Sequence, residues 1–359
     1  MVNFGVLCNS DTVRYHLRNF KNHNTQEWSI YTDHSFFLTT LHPKNIAVLH
    51  WPYPSNPDFI GIVSAIEEKC EHIYIIITEL HRPAIEFMQT FDRPKFTFYI
   101  AGNITAPVEY ATVKQYHDWF HTSSYFYKEW LPELLYRLDR GRKEITFDML
   151  LGRKKLHRDY VYCHATGMPE SARFIRYFEA ENSKIVEDLK HWTFEHAGMK
   201  YDHPLEWTVD RVQYYGHNMS ISQIIPIEVY NKTAFSVVAE TNYDNYYQFF
   251  TEKTAKPIIA KRLFLMVAGK GYLAALRNIG FKTFHGIIDE SYDEMEHAAE
   301  RWSAVCKQMD WLHNQDQLEI LEKIKPIVEH NFNVMMGRKW YDEFNSDLEE
   351  SISALLRQT

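Results

Sequence analysis

Short apolar runs alternating with amphipathic stretches dominate the first 110 residues. Asn3 to Cys8, Trp28 to Tyr31, Ile46 to Trp51, Ile73 to Thr78 and Phe96 to Ile100 are β-branched and aromatic, the length and make-up of buried strands. Between them, Thr12 to Asn22 and Asp58 to Cys70 have helical spacing. Such alternation predicts a parallel sheet with helical crossovers, a Rossmann-like first lobe. From Lys114 to Leu138 the pattern is helical and aromatic, until Asp139-Arg140-Gly141-Arg142-Lys143-Glu144 interrupts it with charge and a glycine. The lobe boundary is placed there, giving a first lobe of residues 1–140.

The second half repeats the alternation. A strand from Thr146 to Leu151 runs into a Gly152-Arg153-Lys154-Lys155 turn and a helix from about His157. Further strands are predicted at Ile224 to Val229, Phe235 to Ala239, Leu263 to Ala268 and Phe281 to Phe284, with a helix from Tyr272 to Ile279 closed by Gly280, a residue that accepts positive φ. Residues 141–310 then form a second α/β lobe. Tyr292 to Leu312, Gln317 to His330 and Trp340 to Arg357 are helical, and residues 311–359 are expected to pack on or between the lobes. The expected fold class is α/β, two Rossmann-like lobes with a central cleft and C-terminal helices.

Composition narrows the function classes. At 359 residues and 45% hydrophobic content, the chain is long enough for two cores. Its net charge of −8 gives no overall attraction to nucleic acid or acidic membrane and leaves only local basic surfaces to consider. No apolar run reaches the roughly 20 residues of a spanning helix, and no basic leader with an apolar core opens the chain, so no membrane contact and a cytoplasmic location are expected. Cys8, Cys70, Cys163 and Cys306 are scattered without ligand spacing, which points away from a zinc site or disulfide framework.

One stretch concentrates chemistry. The apolar run from Phe235 to Ala239 ends at Glu240, and a polar aromatic loop leads to Phe249-Phe250-Thr251-Glu252-Lys253-Thr254-Ala255-Lys256-Pro257. In an open α/β sheet, ligands bind outside the carboxyl ends of strands, where both groups would sit. A lysine in a first helical turn opposes the helix dipole unless an anion is bound, so Lys253 suggests a phosphate. Either Thr251 or Thr254 can be the N-cap, and Pro257 suits a first turn that follows Thr254. An ordinary helix start with a solvated Glu–Lys pair has the same spacing.

This strand-Glu, aromatic-Thr-Glu-Lys pattern resembles the donor-binding signature of family 10 glycosyltransferases, the α1,3-fucosyltransferase type, which reads approximately Phe-Glu-Asn-Ser, a gap, then Asp-Tyr-Val-Thr-Glu-Lys. Glu240 matches its first Glu, Asn242 is displaced by one from its Asn, and Glu252 and Lys253 match the final pair. Upstream, Leu151 to Tyr160 resembles the segment whose arginine grips the diphosphate, which carries Arg158 over, with Arg153 second. The resemblance spans about Thr146 to Phe284 and implies a GT-B glycosyltransferase in which Glu252 holds the donor ribose and Lys253 and Arg158 hold the diphosphate. Ala239 stands where the family usually has Phe, the loop is longer, and Lys256-Pro257 follows the signature. The longer run through Gly280-Phe281-Lys282-Thr283-Phe284 to Ile288-Asp289-Glu290-Ser291-Tyr292-Asp293 is similar to glycosyltransferase-like proteins of tailed phages and marine bacteria, in which case the cytoplasm would be that of a host cell.

The chain has no Asp-x-Asp, the usual metal and diphosphate anchor of the other large glycosyltransferase fold, so a metal-independent site with no resident cofactor is expected, the nucleotide-sugar being a co-substrate and cations neutralising the leaving diphosphate. For the general base, Glu79 follows the most apolar strand at a strand-to-loop transition, and Asp33 is second. A basic run, Arg137, Arg140, Arg142, Lys143, Arg153, Lys154, Lys155 and Arg158, lies at the expected lobe junction. With the phage-like resemblance, it motivates 5-hydroxymethylcytosine in DNA as acceptor, with arabinose or glucose as the sugar. A glycan or lipid-linked saccharide is the competing acceptor, and a non-catalytic nucleotide- or sugar-binding protein the competing class.

Overall fold

The computed structural model describes residues 4–22, 28–40, 42, 44–51, 58–130, 132–152, 155–177, 211–214, 217–220, 222 and 224–357. The chain divides into two compact units, Met1–Asp118 with Lys339–Thr359, and Trp119–Arg338. Where the sequence pattern puts a break after residue 140, these units divide at Asp118, and the last segment of the chain belongs to the first.

The first unit is built on β1 (Phe4–Cys8), β2 (Trp28–Tyr31), β3 (Lys44–His50), β4 (His72–Ile77), β5 (Phe96–Ile100), a short β6 (Gly102–Ile104) and β7 (Thr112–Gln115). Six of these form a sheet in the order β2-β1-β3-β4-β5-β7, all pairs parallel. Helices α1 (Asp11–Asn22), α2 (His34–Thr39), α3 (Phe59–Glu67) and α4 (Arg82–Thr90) make the crossovers. Residues 73–77 are all buried. Burial on both faces explains why the central strands are continuous apolar runs without alternation.

The C-terminal helix, Trp340–Arg357, completes this core. Phe344, Leu348 and Ile352, spaced four apart, pack with Val6, Cys8, Ile46, Val48, Tyr74, Ile76 and Tyr99 of the sheet, a stripe worth about 1.5–3 kcal/mol per buried side chain. Polar contacts set its register: Tyr99 Oη donates to Asp347 at 2.7 Å, Lys114 Nζ reaches the same carboxylate at 2.8 Å, and the hydroxyls of Tyr74 and Ser351 lie 3.2 Å apart.

The second unit holds β8 (Ile145–Leu151), β9 (Arg173–Tyr177), an antiparallel pair β10 (Arg211–Tyr214) and β11 (His217–Ser220), β12 (Thr233–Ala239), the short β13 (Tyr247–Phe249) and β14 (Phe264–Val267). Its main sheet is parallel in the order β14-β12-β8-β9. Its helices are α5 (Asp118–Tyr125), which begins at the unit boundary, α6 (Leu156–Thr166), α7 (Ile227–Lys232), α8 (Glu252–Ile259), α9 (Tyr272–Asn278), α10 (Ala298–His313) and α11 (Gln317–Gly337).

Three expected elements differ. Lys114 and Gln115 close strand β7 instead of opening a helix. Ile224 and Ile225 are buried but not in a strand, because Pro226 lacks the ladder N–H and α7 starts after it. Phe281 to Phe284 forms no strand, and its backbone pairs with side chains: Lys282 exchanges hydrogen bonds with the Asn331 amide at 2.7 and 2.8 Å, and Phe284 N donates to Glu290 Oε1 at 2.6 Å. Those side chains satisfy the backbone as a neighbouring strand would. Among the described residues no helix is long and apolar enough to cross a membrane.

Candidate functional site

In the sheet of the second unit the chain passes from β8 outward to β9, then returns to β12 on the other side of β8 and continues to β14. The carboxyl ends of β8 and β12 therefore flank a topological switch point, the place where open α/β sheets bind ligands. The parallel register, Phe235 beside Phe147, brings the turn after Leu151 and the turn after Ala239 to the same edge.

Glu240 organises that edge. It is fully buried, and its carboxylate accepts from Thr251 Oγ1 at 2.7 Å, Thr254 Oγ1 at 2.7 Å, Tyr272 Oη at 3.0 Å, Thr241 N at 2.8 Å and Thr251 N at 3.3 Å. A desolvated carboxylate is tolerable only with its acceptor sites filled. Glu240 thus holds the start of α8 and α9's first residue in fixed relation, a positioning role from within the protein. The clamp also decides the helix start: Thr251 is the N-cap, its Oγ1 accepting from Lys253 N at 3.2 Å. Pro257 consequently lies six residues into α8, not in a first turn after Thr254, and no N–H there bonds the Lys253 carbonyl.

Glu252 and Lys253 open α8 as an ion pair of 2.7 Å, and the Lys253 side chain, 27% exposed, also donates to Thr241 Oγ1 at 3.1 Å. Burial pushes the Glu252 pKa up, but Lys253 and Lys256 more than offset this and hold it below the usual carboxylate range. Burial in turn drives Lys256 down to about 8, against the pull of Glu252 and with the repulsion of Lys253. A lysine in a helix's first turn costs about 0.3–1 kcal/mol against the dipole, and Glu252 offsets it here.

Across the switch point the β8–α6 turn contributes three donors. Lys155, in N-cap position before α6, bonds the Thr241 carbonyl. His157 Nε2 donates to the Glu240 carbonyl at 2.7 Å, and burial lowers its pKa to about 3, so the ring is neutral. Arg158, 3% exposed, reaches the carbonyls of Glu240 at 3.2 Å and Ala239 at 3.4 Å. Glu240, Glu252, Lys253 and Arg158 are therefore assembled at one edge, while Arg153 lies outside the described residues. Lys155, His157, Thr241, Lys256 and Tyr272 join them without having been singled out as site residues. The strand, basic turn and helix pattern after Leu151 was the available signal for Lys155; nothing local marks Tyr272.

Lys155, Arg158, Lys253 and Lys256 bring four cationic side chains to this edge, alongside Glu240, Glu252 and Asp159 of the first turn of α6. Cations gathered at the carboxyl edge of a parallel sheet suit an anion. At the next helix start Asp293 accepts from Leu273 N and Ala274 N, both at 2.9 Å, and so caps the first turn of α9. Gly269 before it has no room for a side chain, since a Cβ would come within 2.1 Å of the Asp244 carbonyl oxygen.

Among the described residues, which leave out Arg153 and Lys154, the basic run is divided between two edges of the sheet. Arg140 and Lys143 precede β8 and lie at the amino edge, where Arg140 donates to the Ala260 carbonyl at 3.1 Å and Lys143 pairs with Asp139 at 2.6 Å. Lys155 and Arg158 follow β8, separated from them by seven strand residues, roughly 23 Å at strand rise.

In the first unit, Glu79 is half-buried in the turn between β4 and α4. Asp33 Oδ1 accepts from Phe36 N at 2.7 Å and caps α2. Among the described residues no group of three or more His, Cys, Asp or Glu side chains is placed to hold a metal ion. No family model matches the chain, and no curated protein matches it in sequence.

Proposed function

We propose that the protein is a glycosyltransferase that moves a sugar from a nucleoside-diphosphate sugar to an acceptor hydroxyl, its two units being the lobes of a GT-B enzyme. The observation that carries this reading is the Glu252–Lys253 pair at the first turn of α8, opposite Lys155 and Arg158 at the switch point of the second sheet. Lys253, whose side chain is 27% exposed, takes the diphosphate. Glu252, held ionised, accepts from the ribose hydroxyls. As the sugar C1–O bond breaks, the diphosphate oxygen leaves with the electron pair, and the Lys253 ammonium stabilises it.

The acceptor proposed is 5-hydroxymethylcytosine in DNA, with arabinose or glucose as the sugar. The division of the basic run between the two edges of the sheet favours a second reading, a glycan or lipid-linked saccharide, because a polyanion gains most from contiguous cations.

A thermal-shift screen against nucleoside diphosphates and nucleotide sugars, followed by transfer assays with hydroxymethylated DNA and with oligosaccharides, tests the reading. Stabilisation by one nucleotide is expected, weakened from several-fold to about a hundredfold in affinity by Lys253→Ala, the loss of one charge-assisted contact of about 1.5–3 kcal/mol. A screen in which no nucleotide raises the melting temperature would sink it.

A further inference from the structure

Helix α1 and the C-terminal helix lie side by side in the first unit. Val13 and Leu17 pack in one cluster with Phe344, Leu348 and Ile352, and His16 Nε2 meets Glu349 Oε1 at 2.7 Å. The groove between the two helices opens into a cavity of about 660 Å³. Its lining is acidic and aromatic: Asp11, Asp342 and Glu349 bring carboxylates, and Tyr15, 70% exposed, brings a ring. Asp11 is paired with Arg14, and Asp342 lies 3.9 Å from Lys339. Among the described residues Glu349 has no Lys or Arg partner, its contact being the His16 imidazole.

Asn345 gives an independent sign of a ligand. It is 6% exposed, lines the same cavity, and hydrogen-bonds Tyr341 through its side chain. Its Oδ1 is buried and accepts from no donor among the described residues. Buried side-chain acceptors are nearly always paired, so an orphan on a cavity wall marks the place of a missing donor. Carboxylates and an amide oxygen together call for a charged group that donates and does not accept, which describes an ammonium. A bare metal ion does not fit, because among the described residues no three His, Cys, Asp or Glu side chains are placed to hold one. Asp342 and Glu349 are seven residues apart on one helix, roughly 10.5 Å along its axis, with Asn345 between them. That span is too long for one ammonium and suits a chain carrying several.

We propose that this groove binds an aliphatic polyamine, an inference independent of the transferase reading. Terminal ammonium groups sit at Asp342 and Glu349, and an inner one donates to Asn345 Oδ1. The methylenes between them lie against the Tyr15 ring, whose face also attracts the neighbouring charge. The ligand contacts both helices, so its binding stabilises the packing of the C-terminal helix on the first unit.

The test uses the full chain and spermidine at constant ionic strength, read by thermal shift and by titration calorimetry. A saturable rise in melting temperature is expected, larger than any given by Mg²⁺ at equal charge concentration. Glu349→Gln is expected to weaken spermidine about tenfold or more, and Tyr15→Ala a few-fold. Glu322→Gln, which removes a carboxylate 78% exposed on α11, is expected to change nothing. Absence of saturable binding, an equal effect of Mg²⁺, or equal losses in Glu349→Gln and Glu322→Gln would mean that polyamine meets only the general negative charge of the chain, and overturns the inference. Unchanged affinity in both Glu349→Gln and Tyr15→Ala overturns it as well. If Glu349→Gln does not fold, Tyr15→Ala, altered at an exposed ring, decides. Nucleotide binding by the same samples is scored separately, so either reading can fail without the other.

Discussion

Two acid–base pairs lie toward opposite ends of the second unit's sheet. Asp148 of β8 and Arg262 ahead of β14 meet at 2.6 Å with side chains 5% and 7% exposed. Arg262 also donates to Ser236 Oγ, Thr233 Oγ1 and the carbonyls of Tyr230 and Thr233, while its guanidinium lies over the Tyr230 ring at 4.2 Å. Asp148 accepts from Ser236 and Thr233 in turn. Burial raises its pKa, and Arg262 with the two hydroxyls opposes the rise. At the carboxyl edge, by contrast, Glu252 and Lys253 form a pair whose lysine reaches solvent and whose neighbours bring further positive charge. A saturated buried pair has no capacity for a ligand and acts on stability. A partly exposed pair with cations near it is the one the proposed function assigns to an anion.

The largest expected effect comes from breaking the saturated pair. Arg262→Ala leaves Asp148 buried without its cation, and a loss of about 3–5 kcal/mol in urea denaturation is expected. A loss below about 1 kcal/mol would mean that the carboxyl simply protonates and that the pair is not what holds β8, β12 and β14 together.

At the other edge the comparison sharpens through pH. Lys256 titrates near 8 in the folded protein against its ordinary 10.5. Between these values the unfolded chain binds more protons than the folded one, so stability rises with pH across about 8 to 10.5, and below 8 the full penalty of a buried ammonium is present. Urea midpoints measured across that range should rise in wild type more than in Lys256→Met. Nucleotide affinity should move oppositely, falling above pH 8 as the charge is lost; a flat affinity profile would remove Lys256 from the anion site.

The smallest effect is expected at Lys270–Glu296, a pair of 2.6 Å whose side chains are 41% and 65% exposed. Lys270→Ala should leave the urea midpoint unchanged, since water screens exposed pairs, and should leave nucleotide binding untouched. A large loss of binding would extend the anion site to the turn before α9.

Strands such as Ile73–Ile77 and Phe235–Ala239 were legible because burial on both faces demands continuous apolar runs, a local property of the sequence. That a helix starts near Thr251 to Thr254 was legible for the same kind of reason, its residue types being those a helix start selects, although they left the choice between Thr251 and Thr254 open. Phe281–Phe284 misled because its two phenylalanines read as a short strand, yet its backbone is satisfied by Asn331 and Glu290, which lie far off or on a loop. Pro257 misled because the N-cap is chosen by Glu240, eleven residues before Thr251. The sequence by itself thus determined the α/β class, the principal strands and the residue types of the site. Only the tertiary structure decided that the C-terminal helix belongs to the first unit's core, that Glu240 faces inward while Lys253 reaches solvent, and that the basic run divides between two edges. The physical reason is that burial, strand order and hydrogen-bond partnership are relations between residues distant in the chain, and no local pattern of residue types contains them.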